Sequence, residues 1–265
     1  MRFSVITVCK NNLAGLKETY TSVFAQTYEN LEWIVVDGNS SDGTKEWLKG
    51  LNHLNCKWVS AEDSGIFEAM NKGMMIAEGE YVIFLNGSDS LADSEVLMRV
   101  NLAIKENPQA LFMYGDSVDI TAKGKSFYRK AKPYSAIQYC LFTQHQAMIF
   151  KTDKLEGLFY NQQLVDSADY AFVSEFLNMR VSEPEREIVK LEFAVCKYLL
   201  GGLNEQNRFR ALKQDFFIRR NILKQRIPVA IGLFIVHFFH TFLKKFLPQF
   251  MFRLRYRKTR KRCNL

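Results

Sequence analysis

The sequence predicts an α/β fold, a Rossmann-like, mostly parallel sheet flanked by helices, with a helical extension at its C-terminal end. Three observations carry this. Strand-like runs alternate with helix-period segments from Phe3 to Leu91. Tyr81-Val82-Ile83-Phe84-Leu85 is unbrokenly apolar, as a strand buried on both faces requires. Polar residues recur just past the strands, at Thr7, Asp37, Asp63 and Asp89. In an open α/β sheet, ligands bind beyond the carboxyl ends of the strands.

Taken in order, Phe3–Val8 reads as a first strand. The segment 11–26 places Leu13, Leu16, Tyr20, Val23 and Phe24 at helical spacing, with Asn11 or Asn12 as cap. Leu31–Val36 is a second strand ending at Asp37. Gly38–Gly43 is a loop, Thr44–Leu51 a short helix and Lys57–Ser60 a weak third strand. Ile66–Ala77 is helical, with Ile66, Met70, Gly73, Met74 and Ala77 on one side. The strand 81–85 follows. Such alternation implies parallel strands joined by crossover helices.

The chain has 265 residues, 48% of them apolar, enough for one large domain or a domain with an appendage. Its charge is uneven. Residues 1–204 hold 20 Lys/Arg against 26 Asp/Glu; residues 205–265 hold 16 against 2. An acidic body with a basic, aromatic-rich tail points to an anionic surface as partner. The five cysteines are scattered and form no C-x-x-C pair, which argues for reduced thiols and against a zinc site. The first apolar run is too short for a signal peptide.

Asp89 follows a buried strand on a tight turn, where a hard cation such as Mg²⁺ or Mn²⁺ finds an oxygen ligand beside phosphate oxygens. The alternative is a strand-to-helix turn capped by Asp89 or Ser90. Asp37 can accept from a base N–H or a ribose hydroxyl, or simply open a turn. The stretch 37–44 is neither a Walker phosphate loop nor G-x-G-x-x-G. Asp169 opens an apolar helix, as a general base or as a cap, with Asp166 the neighbouring candidate. His145, between Gln144 and Gln146, is a functional histidine or a satisfied core one.

Several of these stretches carry a resemblance. Val35–Thr44 resembles the second-strand motif of family 2 glycosyltransferases with the GT-A fold. Glu62–Gly73 is similar to the "D-x-G-I-Y-D-A-M-N-K-G" signature of a bacterial polysaccharide-biosynthesis branch. Phe84–Asp89 sits where the family carries its metal-binding D-x-D. Thr143–Gln146 and Ser167–Tyr170 resemble the branch's "H-Q" and "D-Y" elements. The resemblance spans about residues 1–200. Asn86 and Ser88 stand where the family commonly has further acids.

The resemblance implies an inverting glycosyltransferase, hexosyl or N-acetylhexosaminyl, that uses a nucleotide-diphospho-sugar, UDP-linked first. Its acceptor would be a glycan or a polyprenyl-linked glycan of surface polysaccharide assembly. Thr7, Asp37 and Asp63 would line the nucleotide pocket, with Asn71 and Lys72 holding its loop. Asp89 would bind Mg²⁺ or Mn²⁺. Asp169 would be the general base, and His145 would lie near the acceptor or the diphosphate. The GT-A domain would span 1–203, with a nucleotide-sugar half to about 115 and an acceptor half from 116. The other readings are a nucleotidyltransferase and a non-catalytic, membrane-bound nucleotide-sugar scaffold.

The basic/apolar tail, 204–265, reads as a basic helix over 204–226, an apolar run over 227–243, a second short apolar run over 246–252 and a polybasic end over 253–262. A spanning helix needs about 20 apolar residues. Basic flanks favour a segment lying in the interface of an anionic leaflet. Packing on the domain or on a second copy, which would make a homo-oligomer, and true spanning are the alternatives. These readings place the protein at the inner face of the plasma membrane, peripherally attached, with no nucleic-acid partner.

Overall fold

The computed structural model describes all residues except 52, 202–206, 248–249 and 251–265. The polybasic stretch 253–262, most of the run 246–252 and the 203/204 boundary therefore lie outside the described residues.

The first half alternates as its pattern dictates. It runs β1 (Phe3–Cys9), α1 (Leu13–Phe24), β2 (Leu31–Asp37), α2 (Thr44–Lys49), β3 (Cys56–Ser60), α3 (Ile66–Met75) and β4 (Tyr81–Phe84). β5 (Ser90–Leu91) and α4 (Val96–Glu106) follow. The second half holds β6 (Phe112–Ile120), β7 (Ser126–Arg129), β8 (Met148–Lys151), α5 (Ala168–Arg180), α6 (Pro184–Glu187) and β9 (Ile188–Leu199). Two helices close the described chain, α7 (Arg208–Asn221) and α8 (Ile227–Phe246).

The sheet order is β3-β2-β1-β4-β8-β6-β9-β5, with β7 paired on β6. β1 to β4 are parallel, β8 runs antiparallel between β4 and β6, and β9 is parallel to β6. Period-two alternation sorts the strand residues onto two faces. Ile6, Ile34, Val36, Val82 and Phe84 pack with Phe67, Met70, Phe150, Phe172 and Phe176. Phe3, Val5, Trp33, Val35, Ile83 and Leu85 pack with Leu16, Val23, Val96 and Val100. Each fully buried Phe or Leu removes about 1.5–3 kcal/mol of apolar exposure, so the sheet is clamped from both sides.

The carboxyl ends of β1 to β4 form one edge. There Asn12 caps α1, accepting from Gly15 N at 3.2 Å, while its Nδ2 donates to Ser88 Oγ at 2.9 Å. A Cβ at Gly15 would meet the Ser88 hydroxyl and the Asn12 amide, so a larger residue would force those side chains to shift. The turn after β4 thus rests directly on the first turn of α1.

α7 packs on α5. Arg210 forms a two-pronged ion pair with Asp166, and Ser167 Oγ donates to Asp215 Oδ1 at 2.8 Å. α8 lies along α7 through Phe209–Phe238 and Phe216–Phe234 ring contacts. Its 20 residues extend about 30 Å. Ile231, Ile235, Phe239, Phe242 and Phe246 are exposed.

Candidate active site

A cavity of about 1930 Å³ opens on the carboxyl edge of the parallel strands. It brings together Asp63, Asp89, His145 and Asp169, and extends to α7 and α8.

Asp89 stands on the turn after β4 and is only 5 % exposed. Its Oδ2 accepts from Gln146 Nε2 at 2.8 Å and its Oδ1 from Leu199 N at 3.1 Å. Burial outweighs both hydrogen bonds and pushes the carboxyl up to about 7. A bound cation would reverse that shift by favouring the ionised form. Beside it, Asn86 Oδ1 is a buried oxygen with no partner. An unpaired amide oxygen and a carboxylate on one turn are the donor set a hard cation takes, with phosphate oxygens and water completing the shell. Among the described residues no three His, Cys, Asp or Glu side chains converge, so protein ligands alone would not fill that shell. Ser88 holds φ +83°, a left-handed value that fixes the turn's shape.

His145 and Gln146 belong to a short 3₁₀ turn, His145–Ala147, that leads into β8. Gln146 reaches Asp89, and His145 Nε2 shares a 2.8 Å hydrogen bond with the Tyr160 hydroxyl. The His145 ring lies against Phe84. Burial pushes its pKa down to about 4, so the ring is neutral at pH 7. Tyr160 stacks on Phe172 at 4.0 Å, and its hydroxyl is kept protonated by burial and by Asp169.

Asp169 sits in the first turn of α5, facing the cavity. Burial, reinforced by the nearby Asp215 carboxylate, pushes it up to about 6. Its Oδ1 accepts from the adjacent Tyr170 N, at 2.8 Å. The other candidate, Asp166, is taken up by Arg210. A carboxylate that ionises near neutrality in a cleft suits proton abstraction.

Asp63 lines the cavity, with Oδ1 accepting from Gly65 N at 3.1 Å and Oδ2 close against Gly38. The remaining nucleotide-pocket candidates lie elsewhere. Thr7 is inside β1 and shares the face of Phe3 and Val5; its hydroxyl accepts from Trp33 Nε1 at 2.9 Å. Asp37 is buried, accepting from Ser40 N, Ser40 Oγ and Ser60 Oγ, so it shapes the 37–40 loop from within. Asn71 clamps the Tyr160 backbone, donating to its O at 3.0 Å and accepting from its N at 2.8 Å. Lys72 Nζ donates to Glu62 O at 3.0 Å and pairs with Glu68, tying down the loop that carries Asp63.

Three participants escaped the sequence reading. Gln146 was visible as a polar neighbour of His145 and as part of the "H-Q" element, but its tie to Asp89 was not. Tyr160 gave no signal, being one aromatic among many. The α7–α8 wall, with Arg208, His237 and His240, depends on contacts across the fold.

Known proteins share this sequence pattern and this fold. A sequence model described as glycosyl transferase family 2 matches residues 4–160. An uncharacterised glycosyltransferase of Mycobacterium tuberculosis is 31% identical over 232 residues, 85% of each chain. A PGL/p-HBAD biosynthesis glycosyltransferase of Mycobacterium bovis is 32% identical over 245 residues, 88% of this chain and 89% of that one. Among solved structures, S. aureus TarS 1–349 in complex with UDP superposes with a TM-score of 0.66 at 19% identity, over 93% of this chain and 72% of that one. A Pyrobaculum calidifontis mannosyltransferase in complex with GDP-Man and Mn²⁺ gives 0.63 at 17% identity, over 93% and 70%.

Proposed function

The chain belongs to glycosyl transferase family 2 and is a glycosyltransferase of GT-A fold, and on that premise we propose that it moves a sugar, with inversion, from a nucleotide-diphospho-sugar to a lipid-linked glycan. The observation that carries the reading is the single cavity shared by Asp63, Asp89, His145 and Asp169. Its volume, about 1930 Å³, exceeds the roughly 300–1,000 Å³ of a one-ligand pocket, so donor and acceptor fit side by side.

Asp63, beside Gly38 and Lys10, receives the base and ribose. Asp37, Asn71 and Lys72 act behind it by holding the loops of that pocket, and Thr7 by packing on Trp33. A UDP-linked donor is the first choice, supported by the UDP complex of TarS; the GDP-Man complex makes guanosine donors the second.

Asp89 and Asn86 would hold a divalent cation, Mg²⁺ or Mn²⁺, which when bound neutralises charge on the departing diphosphate. Asp169 accepts the proton of the acceptor hydroxyl as that oxygen bonds to the anomeric carbon. The bond from that carbon to the diphosphate oxygen breaks on the opposite face, which inverts the centre. His145, uncharged and held by Tyr160, offers a neutral hydrogen bond at the cavity floor. A carboxyl tuned to about 6 favours turnover over an inactive scaffold.

The apolar face of α8 lies in the interface of an anionic membrane, presenting the cavity to acceptors embedded there. Such a layer is the inner face of the plasma membrane. The test is sugar transfer from a panel of UDP- and GDP-sugars with Mn²⁺ to membrane extract. One donor gives product with the native enzyme and none with Asp169→Asn. No product from any donor with the native enzyme would refute the proposal.

A further inference from the structure

The end of the cavity away from Asp63 is walled by the C-terminal helices. α7 contributes Arg208 and α8 contributes His237, His240 and Lys244; Lys132, just past β7, faces them. Behind His237 lies Arg219, 0 % exposed. Arg219 Nη2 donates to the Tyr139 carbonyl at 2.8 Å and meets His237 Nδ1 at 2.9 Å.

This contact fixes the histidine's chemistry. A guanidinium carries donors only, so Nδ1 must accept. The neutral ring then bears its proton on Nε2 and presents an N–H donor to whatever binds beside it. Burial pushes this ring's pKa down, to about 4, and Arg219, His240, Lys132 and Arg208 push the same way. Positive groups on α7 and on the segment after β7 therefore act on one ring.

Acids stand nearby as well: Arg208 acts on Asp169 and, with Arg219, on Asp215. Asp166 is taken by Arg210. Asp215 lies 3.9 Å from Arg219 Nη2 but also accepts from Ser167. Among the described residues, Arg219 Nε and Nη1 are buried with no hydrogen-bond partner, while the guanidinium carbon lies 6.0 Å from the Tyr170 ring. Burying a guanidinium with two nitrogens unpaired costs stability.

We propose that Arg208, Lys132 and His237, backed by Arg219, form a second anion site that takes the phosphate ester of the acceptor. It deepens the reading above, on which it rests, by naming the acceptor's chemistry. The lipid form of that ester is favoured by the other side of the same helix. Ile235, Phe239, Phe242 and Phe246 are exposed there, so a phosphate at His237 leaves its hydrocarbon free to enter the layer that receives α8.

The test follows the histidine ring NH signals of the full chain by NMR, with His237 assigned through His237→Phe. The protein is titrated with inorganic phosphate, with phosphatidic-acid vesicles, and with vesicles of equal charge made from oleic acid. The carboxylate vesicles control for plain attraction of the basic tail to negative surfaces. We expect the His237 signal to shift with phosphatidic acid and not with oleate. We also expect at least a tenfold preference for the phosphate lipid, lost in Arg208→Gln and in His237→Phe. Equal binding to both vesicle types, or a preference that survives both substitutions, overturns the proposal. A shift with inorganic phosphate but no lipid preference overturns the lipid source. Arg208 is exposed, so its variant folds even if the histidine variant does not. Donor binding, followed separately by the melting shift with UDP-sugars and Mn²⁺, keeps this outcome apart from a failure of the transferase reading itself.

Discussion

Gln146 Nε2 donates to Asp89 Oδ2 at 2.8 Å, joining residues 57 positions apart in the chain. The 3₁₀ turn that carries His145 is thereby tied to the turn that follows β4. Through His145 it also reaches Tyr160, stacked on Phe172 of α5, the helix whose first turn bears Asp169. The acid end and the base end of the cavity are one connected structure.

Gln146→Leu removes that tie while keeping the volume. Asp89 Oδ2 then loses the Gln146 donor in a buried place, at a cost of about 1–3 kcal/mol. Its carboxyl climbs further above the usual range, so at neutral pH less of it is ionised. Isothermal titration should show Mn²⁺-dependent donor affinity falling about tenfold at pH 7. The loss should shrink as pH rises, because deprotonation then no longer limits binding.

Asp169 must be ionised to take a proton. Its pKa is raised to about 6, so at saturating donor and Mn²⁺ the rate should fall about tenfold per unit below pH 6 and level off above it. The stability effect has the opposite sense. A carboxyl whose folded pKa is raised favours folding fully below its unfolded value, and that advantage disappears as pH climbs through about 6. Asp169→Asn, which cannot ionise, should therefore melt higher than the native protein at pH 8, and the gap should close near pH 4. Rate loss for this variant at pH 8 should reach at least about 100-fold.

Gly15→Ala places a methyl group against Ser88 and Asn12. Overpacking at such a site costs about 1–3 kcal/mol. Because Ser88 belongs to the Asp89 turn, the strain reaches the cavity. Denaturant unfolding should show the stability loss, and donor affinity should fall with it. A variant with native donor affinity would separate the turn from the helix start.

The exposed side of α8 can be tested without touching the cavity. Ile235→Asp with Phe239→Asp puts two charges on its apolar face. Flotation with anionic vesicles should lose most of the bound protein, since burying such charges in an apolar layer is costly. Melting temperature should hold, because neither side chain is packed in the body of the protein.

The parallel half of the sheet was legible because β1, β2 and β4 are buried runs whose ends are marked by Asp37, Gly79 and Asn86. The second half was not. β9 mixes Lys190, Glu192 and Lys197 among its apolar residues, and its partner β6 is more than 60 residues away. Asp63, Asp89, His145 and Asp169, singled out by the motifs that carry the family resemblance, line one cavity because each lies in a loop or at a helix start on the same side of the fold. Thr7 was set at a strand end, but the two-residue period shared with Phe3 and Val5 turns it toward Trp33. Asp37 is at its strand end and still faces inward, since Ser40 and Ser60 complete its hydrogen bonds. The tail's place in the cavity wall rests on pairs such as Asp166–Arg210, 44 residues apart, which no local pattern announces.

The central claim is that Asp89 and its turn grip a sugar nucleotide inside this cavity. Calorimetric titration of UDP-sugars in the presence of Mn²⁺, native protein against Asp89→Ala, tests it most directly. The account predicts saturable binding of at least one donor, weakened about tenfold or more by the substitution, a loss of ~1.4 kcal/mol or greater. Equal affinity in the two proteins, or no donor bound by the native one, would contradict it.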